Sequence, residues 1–531
     1  MKTLDRKLFR DIRALRFQGL SIALVIAAGI AVFTASRSAY DSLLFARDKF
    51  YASSRFASAF VSLKRAPVSL EKDLLSIPGI LAIQTRIVNE AVLDFPDDIL
   101  PSAARFVSIT NDMNKLIMSQ GSMPFFADEV VISQTFAAAN KLAQGSEITA
   151  ILNGKKKKLY VSGIALSPEY VYVFRGTNPL PDDRHYGIIW MKKEAMESAF
   201  QMKGAFNDAV FIFASDVPVS SILKRIDKVL ERYGGVGSYD RNRLPSHSFL
   251  RDEFKQLKST SFMVPVIFLG VAAFLLHMVS ARLVSKEREQ IATLKALGYS
   301  NLSIATHYLK LIGAICLIGS LAGIVAGYFL GKSWTDLYSE FYRFPELKHR
   351  FDPFLIFTGL MIGLIAGNIG ALFSVLQAMK LEPAQAMRPP IPANFRFSPI
   401  ERFSNRLNIK TRLILRHLFY RPLRTVLTIT GIASSVMIMI VGTFMQDAVD
   451  TMLRIQYDLL QRESMSITFL NPVTSHSVIE LSGMQGVLFA EGYRNVYVRI
   501  RKGAQSKELA LMGLPEKSSL RRLIDKNQKT V

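Results

Sequence analysis

Few side chains in this sequence have the types and spacing that catalysis requires. The seven histidines are scattered, and none has the His-Glu-x-x-His spacing with which one helix binds zinc. The triplet Gly331-Lys332-Ser333 resembles the end of a phosphate-binding loop, but that loop needs a glycine where Ala326 stands. A single cysteine, Cys316, excludes an intrachain disulfide and a thiolate metal cluster. We therefore expect no catalytic residue, no metal site and no cofactor in this chain.

The composition combines a hydrophobic character with a large positive charge. Half of the 531 residues are hydrophobic, the mean hydropathy is +0.22, and 66 Lys and Arg residues face 43 Asp and Glu residues. An integral membrane protein with basic cytoplasmic loops explains both properties. A nucleic-acid-binding protein is the alternative, but its basic residues would cluster on a soluble face with aromatic residues between them. Here they flank apolar stretches, so we expect no nucleic-acid partner.

Five uncharged stretches are long enough to cross a membrane. A helix needs about 20 apolar residues to span the hydrocarbon layer. The first stretch follows six basic residues and could be read as a secretory signal peptide, but its apolar core is long for one. The same arrangement also recurs later in the chain, which favours a spanning helix. The five predicted spans are residues 17–36, 259–281, 311–331, 353–379 and 425–446.

The charges beside these spans predict their orientation, because basic residues accumulate in cytoplasmic loops. The approach segment 1–16 contains six Lys and Arg residues, segment 282–310 contains five, and segment 380–424 contains ten. We expect these three in the cytoplasm, with the N-terminus. The charge-balanced loop 332–352, together with residues 37–258 and 447–531, then lies outside. The predicted protein is a multi-pass protein of the inner, or cytoplasmic, cell membrane.

Residues 37–258 are long enough to form an external domain of mixed α/β structure. A helix is expected to continue from the first span as far as Arg55. Beyond it, Asn153-Gly154 is typical of a tight hairpin turn. Helices are predicted at 133–142 and 219–233. Short apolar runs predict strands at residues 80–88, 106–109, 130–132, 159–164 and 170–174.

The organisation of the chain's beginning recurs after about 400 residues. A basic amphipathic segment precedes both the first and the fifth span, and Leu75–Ile80 has a counterpart at Leu481–Val487. Residues 447–531 are therefore expected to start a second external domain that is incomplete. The chain would be one complete four-span module and the opening of another. Either it is a fragment, or a second polypeptide supplies the remainder.

Two spans contain glycines at every fourth position. Such glycines share one helix face and allow a second helix to approach closely in lipid. The alternative is the general enrichment of glycine in membrane helices, but two unbroken series favour close packing. The predicted packing positions are Gly319, Gly323, Gly327 and Gly331 in the third span, and Gly359, Gly363 and Gly367 in the fourth.

The cytoplasmic segment 285–300 predicts a short charged helix with an apolar edge. Ile291, Leu294 and Leu297 are spaced three residues apart, and Gly298 is placed to end the helix. Such an edge can lie on the membrane or fit a groove on a partner.

This run resembles the ERxxEIAxLKALG segment of the MacB/FtsX-like permeases of ABC transporters. The segment 379–388 is similar to the one that follows the last span of a module in that family, usually written near xxxPAEALR, with Gln385 where glutamate is usual. External stretches at 128–133 and 153–170 also resemble the family's MacB-like domain, although Gly145-Ser146 stands where Gly-Asp is usual. The resemblance implies that a cytoplasmic ABC ATPase docks on a coupling segment comprising Glu287, Arg288, Ile291, Leu294, Leu297 and Gly298.

The resemblance also implies a function. The chain would be the non-catalytic permease subunit of an export or extraction system, and ATP would be bound by a separate ATPase dimer. Closure of the ATPases would be relayed to the external domains, a mode called mechanotransmission. A periplasmic adaptor or another external protein, and membrane lipids, are further expected partners. The alternative is a transmembrane regulator that moves no cargo and instead activates an external enzyme or senses peptides.

Overall fold

The computed structural model describes residues 3–95, 102–173, 181–214, 217–380, 408–410, 414, 422–469, 473–502, 505–516 and 518–525. The predicted linker 380–424 lies almost entirely outside the described residues. The chain divides into two compact units, Met1–Gly431 and Ile432–Val531, and each is described by itself.

The first unit contains ten α-helices among its described residues. They are α1 (Thr3–Ala14), α2 (Arg16–Ser53), α3 (Leu70–Leu75), α4 (Gln134–Ala139), α5 (Lys193–Ala199), α6 (Val219–Leu230), α7 (Pro245–Lys286), α8 (Arg288–Ala296), α9 (Asn301–Phe341) and α10 (Pro353–Lys380).

Its strands all belong to the region between α2 and α7. They are β1 (Ala59–Pro67), β2 (Ile80–Arg86), β3 (Val88–Asp94), β4 (Ser102–Ser108), β5 (Ile117–Gly121), β6 (Glu129–Ser133), β7 (Glu147–Leu152), β8 (Lys155–Leu166), β9 (Tyr186–Met191), β10 (Ala205–Phe213) and β11 (Gly237–Asp240). This mixture of strands and helices confirms the α/β prediction for residues 37–258.

Four helices, α2, α7, α9 and α10, are long and apolar enough to cross a membrane, and they contain the first four predicted spans. The fifth predicted span falls on helix α11 (Pro422–Arg454), whose side chains are described only in part. The described residues contain four candidate spans, so the predicted count of five differs from the structure and the fifth span stays a prediction.

Three of these helices are much longer than a membrane crossing requires. Helix α7 has 42 residues, so at 1.5 Å per residue it extends about 63 Å, roughly twice the thickness of the hydrocarbon layer. Helix α2 continues without interruption to Ser53, which confirms the predicted helical extension of the first span. Residues 37–53 of α2, 245–258 of α7 and 332–341 of α9 form a stalk that joins the membrane helices to the α/β region.

A hydrophobic core holds the stalk together where it meets the α/β region. Leu43 and Phe50 of α2 pack with Leu250 and Phe254 of α7, and Val171 joins them from the α/β region. The hydroxyl of Tyr338, on α9, donates a hydrogen bond to Glu253 on α7.

The α/β region contains a four-stranded antiparallel sheet in the order β11-β1-β10-β2. Successive side chains of a strand point to opposite faces. Val61 and Phe211 therefore pack with Leu74 and Ile222 of the two helices, α3 and α6, on one face. On the other face, Phe60 packs against Tyr51 at the tip of the stalk.

A second sheet has the order β5-β8-β6-β9-β4-β3-β7. The first half of β8 also pairs with β7, which closes six of the strands into a ring. Phe106, Phe136 and Ile189 are completely buried in its core. The predicted turn joins β7 to β8, with positive φ angles at Asn153 and Gly154, as a tight hairpin of this kind requires.

The predicted strand at residues 170–174 is wrong for the described residues 170–173. A 3₁₀ turn, Pro168–Tyr170, follows β8 instead, and its Ser167 hydroxyl accepts the amide of Glu169. The alternating apolar pattern there does not reflect sheet pairing. Val171 packs against the stalk, and Glu169 is buried against an arginine from the other sheet.

The second unit contains the part of α11 from Ile432 onward, a π-helical turn at Ile455–Leu460, helix α12 (His476–Ser482), and the antiparallel strands β12 (Arg494–Lys502) and β13 (Gln505–Gly513). Its local geometry repeats that of the first unit at one point. Gly79, four residues after α3, has φ +96°, and Gly486, four residues after α12, has φ +91°. This parallel supports the predicted repeat, which itself stays a prediction.

Candidate coupling site

The predicted coupling segment forms a tight elbow between α7 and α9. Helix α7 ends at Glu287, whose φ of −94° and ψ of 15° break the helix, and α8 follows at once. Gly298 ends α8 with φ +89°, and the amide of Tyr299 bonds back to the carbonyl of Leu294. Ser300 then caps α9 by accepting the amide of Ser303 at 3.2 Å. Each end of α8 is therefore fixed directly to a membrane helix.

One side of α8 is part of the protein core. Ile291 and Ala292 are fully buried, and Ile291 packs with Leu283 of α7, Ile304 of α9 and Val375 of α10. Leu294 is half-buried against the same cluster, and Arg288 is half-buried as well. This side fastens α8 to the membrane helices.

The opposite side of α8 is free in this structure. Glu289, Thr293 and Leu297 are exposed at intervals of four residues, and 72 % of Leu297 is exposed. The three apolar residues predicted to form one edge therefore have different environments. Steps of three residues at 100° per residue spread Ile291, Leu294 and Leu297 over an arc of about 120°, so they extend from core to solvent.

Glu287 is directed inward and joins α1 to the elbow. Its carboxylate accepts hydrogen bonds from Lys7 Nζ at 2.7 Å and from the Tyr308 hydroxyl at 2.8 Å. Lys7 also donates a hydrogen bond to the carboxylate of Asp11 at 2.7 Å, and His307 Nε2 lies 3.1 Å from that Asp11 carboxylate. Burial by itself would raise the pKa of Asp11, but the bonds with His307 and Lys7 outweigh it and lower that pKa.

Sequence reasoning missed four members of this ionic network, which are Lys7, Asp11, His307 and Tyr308. One signal was available, because Lys7 and Asp11 are an i, i+4 pair on the amphipathic helix α1. The partner Glu287 is 280 positions away from Lys7, and no local pattern indicates that contact. The network makes α1, α8 and the start of α9 one connected structure.

The glycines of α9 lie against a matching series of small residues on α2. A Cβ atom added at Gly319 would lie 2.7 Å from the carbonyl oxygen of Ala23, and one added at Gly323 would lie 2.7 Å from that of Ala27. Further along, Gly327 faces Ala31 and Thr34, and Gly331 faces Ala35 and Ser38. The backbones of the two helices therefore approach too closely for larger side chains.

The glycines of α10 lie against another side of α9. An added Cβ at Gly359, Gly363 or Gly367 would meet Ile324, Ser320 and Cys316, respectively. The partner positions descend by four as the glycines ascend by four, as an antiparallel pair of helices requires. Helix α9 is thus packed between α2 and α10, and it is the same helix to which the elbow is joined.

The described residues include no group of three His, Cys, Asp or Glu side chains that could hold a metal ion. The elbow itself has one apolar side that is anchored in the core and one exposed side that ends in Leu297.

Residues 262–383, which contain α8 and most of the membrane helices, match the family model described as FtsX-like permease C-terminal. The chain is also 20 % identical over 351 residues to an uncharacterized membrane protein of Buchnera aphidicola subsp. Schizaphis graminum, which covers 60 % of this chain and 80 % of that protein.

Two solved structures are similar to part of the chain. One is the extracellular domain of the ABC-type transporter YknZ from Gram-positive bacteria, at 11 % identity and a TM-score of 0.24, covering 35 % of this chain and 99 % of that one. The other is the periplasmic region of MacB from Actinobacillus actinomycetemcomitans, at 10 % identity and a TM-score of 0.25, covering 37 % and 92 %. Residues 262–383 of this membrane protein are therefore similar to the C-terminal part of the FtsX-like permeases.

Proposed function

We propose that this chain is the membrane subunit of an ABC-type export or extraction system, and that it relays the motion of a separate cytoplasmic ATPase to its external domain. One observation carries the proposal. Helix α7 runs without interruption from Pro245, beside the α/β region, to Lys286, beside the elbow. Helix α9 likewise begins just after the elbow and continues to Phe341 in the stalk.

At the cytoplasmic end, α8 is seated so that a force on it reaches both long helices. Its N-terminus is the break at Glu287, and its C-terminus is followed at once by the Ser300 cap of α9. Ile291 fills the space between the membrane helices, so α8 has no room to slide along them. The exposed side with Glu289, Thr293 and Leu297 is then the surface on which an ATPase would push.

At the external end, the stalk is joined to the α/β region by polar contacts as well as by apolar packing. The hydroxyl of Ser246, on α7, accepts a hydrogen bond from the amide of Tyr172 in the α/β region at 3.1 Å. The guanidinium of Arg241 donates to the carbonyl oxygens of Phe56 and Ala57 at the entrance to β1. A displacement of the stalk would therefore displace the four-stranded sheet.

A buried arginine extends this connection to the second sheet. Arg86, at the end of β2, donates to both carboxylate oxygens of Glu169, which follows β8, at 2.6 and 2.8 Å. The same guanidinium donates to Asp208 on β10. All three side chains are at most 5 % exposed. The two sheets are thus held to each other by ionised, bidentate hydrogen bonds.

The docking surface can be tested with one substitution. Tagged chain is purified from its native membrane, and the co-purifying ATP-hydrolysing activity is measured per mole of chain. Leu297→Asp should reduce that activity at least about tenfold, because it places a charge where apolar contact is expected, and an unpaired charge at an interface costs about 2 kcal/mol or more. The matched control is Leu81→Asp, at a leucine of the external domain that is 64 % exposed. It should leave the activity unchanged.

Equal activity in the Leu297→Asp and wild-type preparations would contradict the proposed docking surface. A second outcome separates export from regulation. In it, an ATPase co-purifies and hydrolyses ATP, but the purified complex in vesicles releases or moves no membrane component. That result favours a transmembrane regulator that activates an external enzyme or senses peptides.

A further inference from the structure

The cytoplasmic helix α1 exposes basic side chains on the side that faces away from the protein core. Leu8, Ile12 and Leu15 pack against the cluster that contains Ile291. Arg10 and Arg13 lie on the exposed side of the helix. The helix is therefore anchored by an apolar side and presents positive charge on the other.

This basic side is continuous with an apolar side of the first membrane helix. Leu15, with φ −97° and ψ 11°, separates α1 from α2, but its amide bonds to the carbonyl of Asp11 and its carbonyl accepts the amide of Gly19, so α2 follows α1 with little change of direction. At about 100° per residue, six of the exposed residues on the two sides of the junction fall within one arc of about 120°. They are Arg10, Arg13, Arg16, Phe17, Leu20 and Leu24.

The apolar half of this stripe consists of large side chains that no other described part of the protein covers. Phe17 is 73 % exposed, Leu20 57 % and Leu24 61 %, at the start of a helix that crosses the membrane. Large apolar side chains on the outside of a spanning helix face lipid tails. The three arginines come just before them in the chain, so a bilayer whose tails cover the apolar residues would place its headgroups beside the arginines.

The arginines have no acidic partner within the part of the chain that the structure describes. Asp11, on the same helix, is turned inward and is satisfied by Lys7 and His307. The guanidinium of Arg16 lies 4.8 Å from the ring of Phe17, which joins the basic half of the stripe to its apolar half. A group of neighbouring positive charges without counter-charges attracts anions.

We propose that this stripe binds an anionic phospholipid of the cytoplasmic leaflet. The guanidinium groups of Arg10, Arg13 and Arg16 hold the phosphate, and the acyl chains lie along Phe17, Leu20 and Leu24. Guanidinium groups bind phosphate oxygens through paired N–H donors, and basic amphipathic helices bind anionic membrane surfaces. The lipid would secure α1, and through Lys7 the elbow at Glu287, against the membrane. The site does not depend on the identity of any ATPase.

Lipid binding to the purified full chain in detergent is measured by native mass spectrometry. Phosphatidylglycerol is compared with phosphatidylcholine that has the same acyl chains. The wild type should bind phosphatidylglycerol preferentially. The triple variant with Arg10→Gln, Arg13→Gln and Arg16→Gln should bind it at least about tenfold more weakly, because each basic residue near an anionic surface contributes substantially to binding. Glycerol phosphate, which has the headgroup charge without the chains, should not displace the lipid.

Two control variants separate this site from a general effect of charge or folding. Arg10→Lys, Arg13→Lys and Arg16→Lys together keep the charges and should retain most of the binding. Lys224→Gln, Lys228→Gln and Arg232→Gln remove three exposed charges from another helical surface, where Arg232 lies 5.2 Å from the ring of Tyr233. This second variant should bind lipid as the wild type does.

Equal binding of the two lipids by the wild type would overturn the proposal, and so would unchanged phosphatidylglycerol binding by the glutamine variant. Loss of binding in both triple variants of α1 would also overturn it, because the effect would then come from altered folding. If the glutamine variant keeps its lipid but loses a co-purifying ATPase, the stripe docks a protein and the lipid site is wrong.

Discussion

Two ionic networks, one partly and one fully buried, connect parts of this protein that are distant in the chain. Lys7 and Glu287 join α1 to the elbow, and Arg86 joins the two sheets of the external region through Glu169 and Asp208. Burial alone would raise the pKa of Glu169, but Arg86 outweighs it and lowers that pKa. Burial raises the pKa of Asp208. Because Glu169 and Asp208 both bond to the guanidinium of Arg86, removing that side chain should lower the free energy of unfolding more than removing either carboxylate.

Replacing Arg86 with methionine should destabilise the protein. The change leaves Glu169 and Asp208 buried without their cation, and breaking a buried pair in this way costs about 3 to 5 kcal/mol. Thermal unfolding of the full chain in detergent can be followed by tryptophan fluorescence, which comes from Trp334 and from Trp190, buried beside Tyr170. The midpoint should fall by several degrees.

The control for this variant is Arg65→Met, on strand β1, where the side chain is exposed. Surface substitutions of this kind usually change stability by less than about 0.5 kcal/mol. Similar midpoints for Arg86→Met and Arg65→Met would show that the Arg86 network contributes little to holding the sheets together.

At the scale of elements, the contact between α2 and α9 determines how the membrane helices are arranged. Both helices present small residues at every fourth position, so their backbones come into direct contact over several turns. The stalk continues the same two helices outward, so the close pairing in the membrane also sets the alignment of the stalk.

A methyl group at the centre of this contact should be poorly tolerated. In Gly327→Ala the new Cβ would collide with the Thr34 hydroxyl and lie 2.8 Å from the Ala31 carbonyl oxygen. We expect a loss of about 1 to 3 kcal/mol, typical of overpacking. The measurement is unfolding of the purified chain by increasing SDS in mild detergent.

Gly313→Ala provides the matched control on the same helix, because nothing lies within 4 Å of an added Cβ there. Alanine favours a helix over glycine by about 1 kcal/mol, so this variant should be at least as stable as the wild type. Equal destabilisation of both variants would mean that the loss reflects glycine content in α9 and not the contact with α2.

At the scale of the whole molecule, the orientation predicted from the charges can be checked by labelling. The chain has a single cysteine, Cys316, which is buried among the membrane helices, so labelling of the chain without an introduced cysteine should be low. A membrane-impermeant maleimide should label Lys224→Cys in intact spheroplasts, because α6 belongs to the region expected outside. Leu297→Cys should be labelled only after permeabilisation. The reverse pattern would contradict the cytoplasmic placement of the elbow, and with it the ATPase proposal.

Much of the architecture follows from the sequence because it depends on local runs of residues. An uncharged stretch as long as the hydrocarbon layer is thick must form a helix, whatever surrounds it. The first four predicted spans, the helical extension to Ser53 and the Asn153-Gly154 turn are all of this kind. Helix α8 also follows from a local pattern, a charged run with an apolar edge that ends at Gly298.

The tertiary structure alone decided which surfaces remain free. The sequence did not show that Ile291 is buried while Leu297 is exposed, or that Glu287 is held by Lys7. It also suggested a strand at 170–174, where Glu169 is instead held by Arg86 from another sheet. The reason in each case is physical. Whether a side chain faces solvent, core or a buried counter-charge depends on residues far away in the chain, and periodicity reports only the helix or strand to which it belongs.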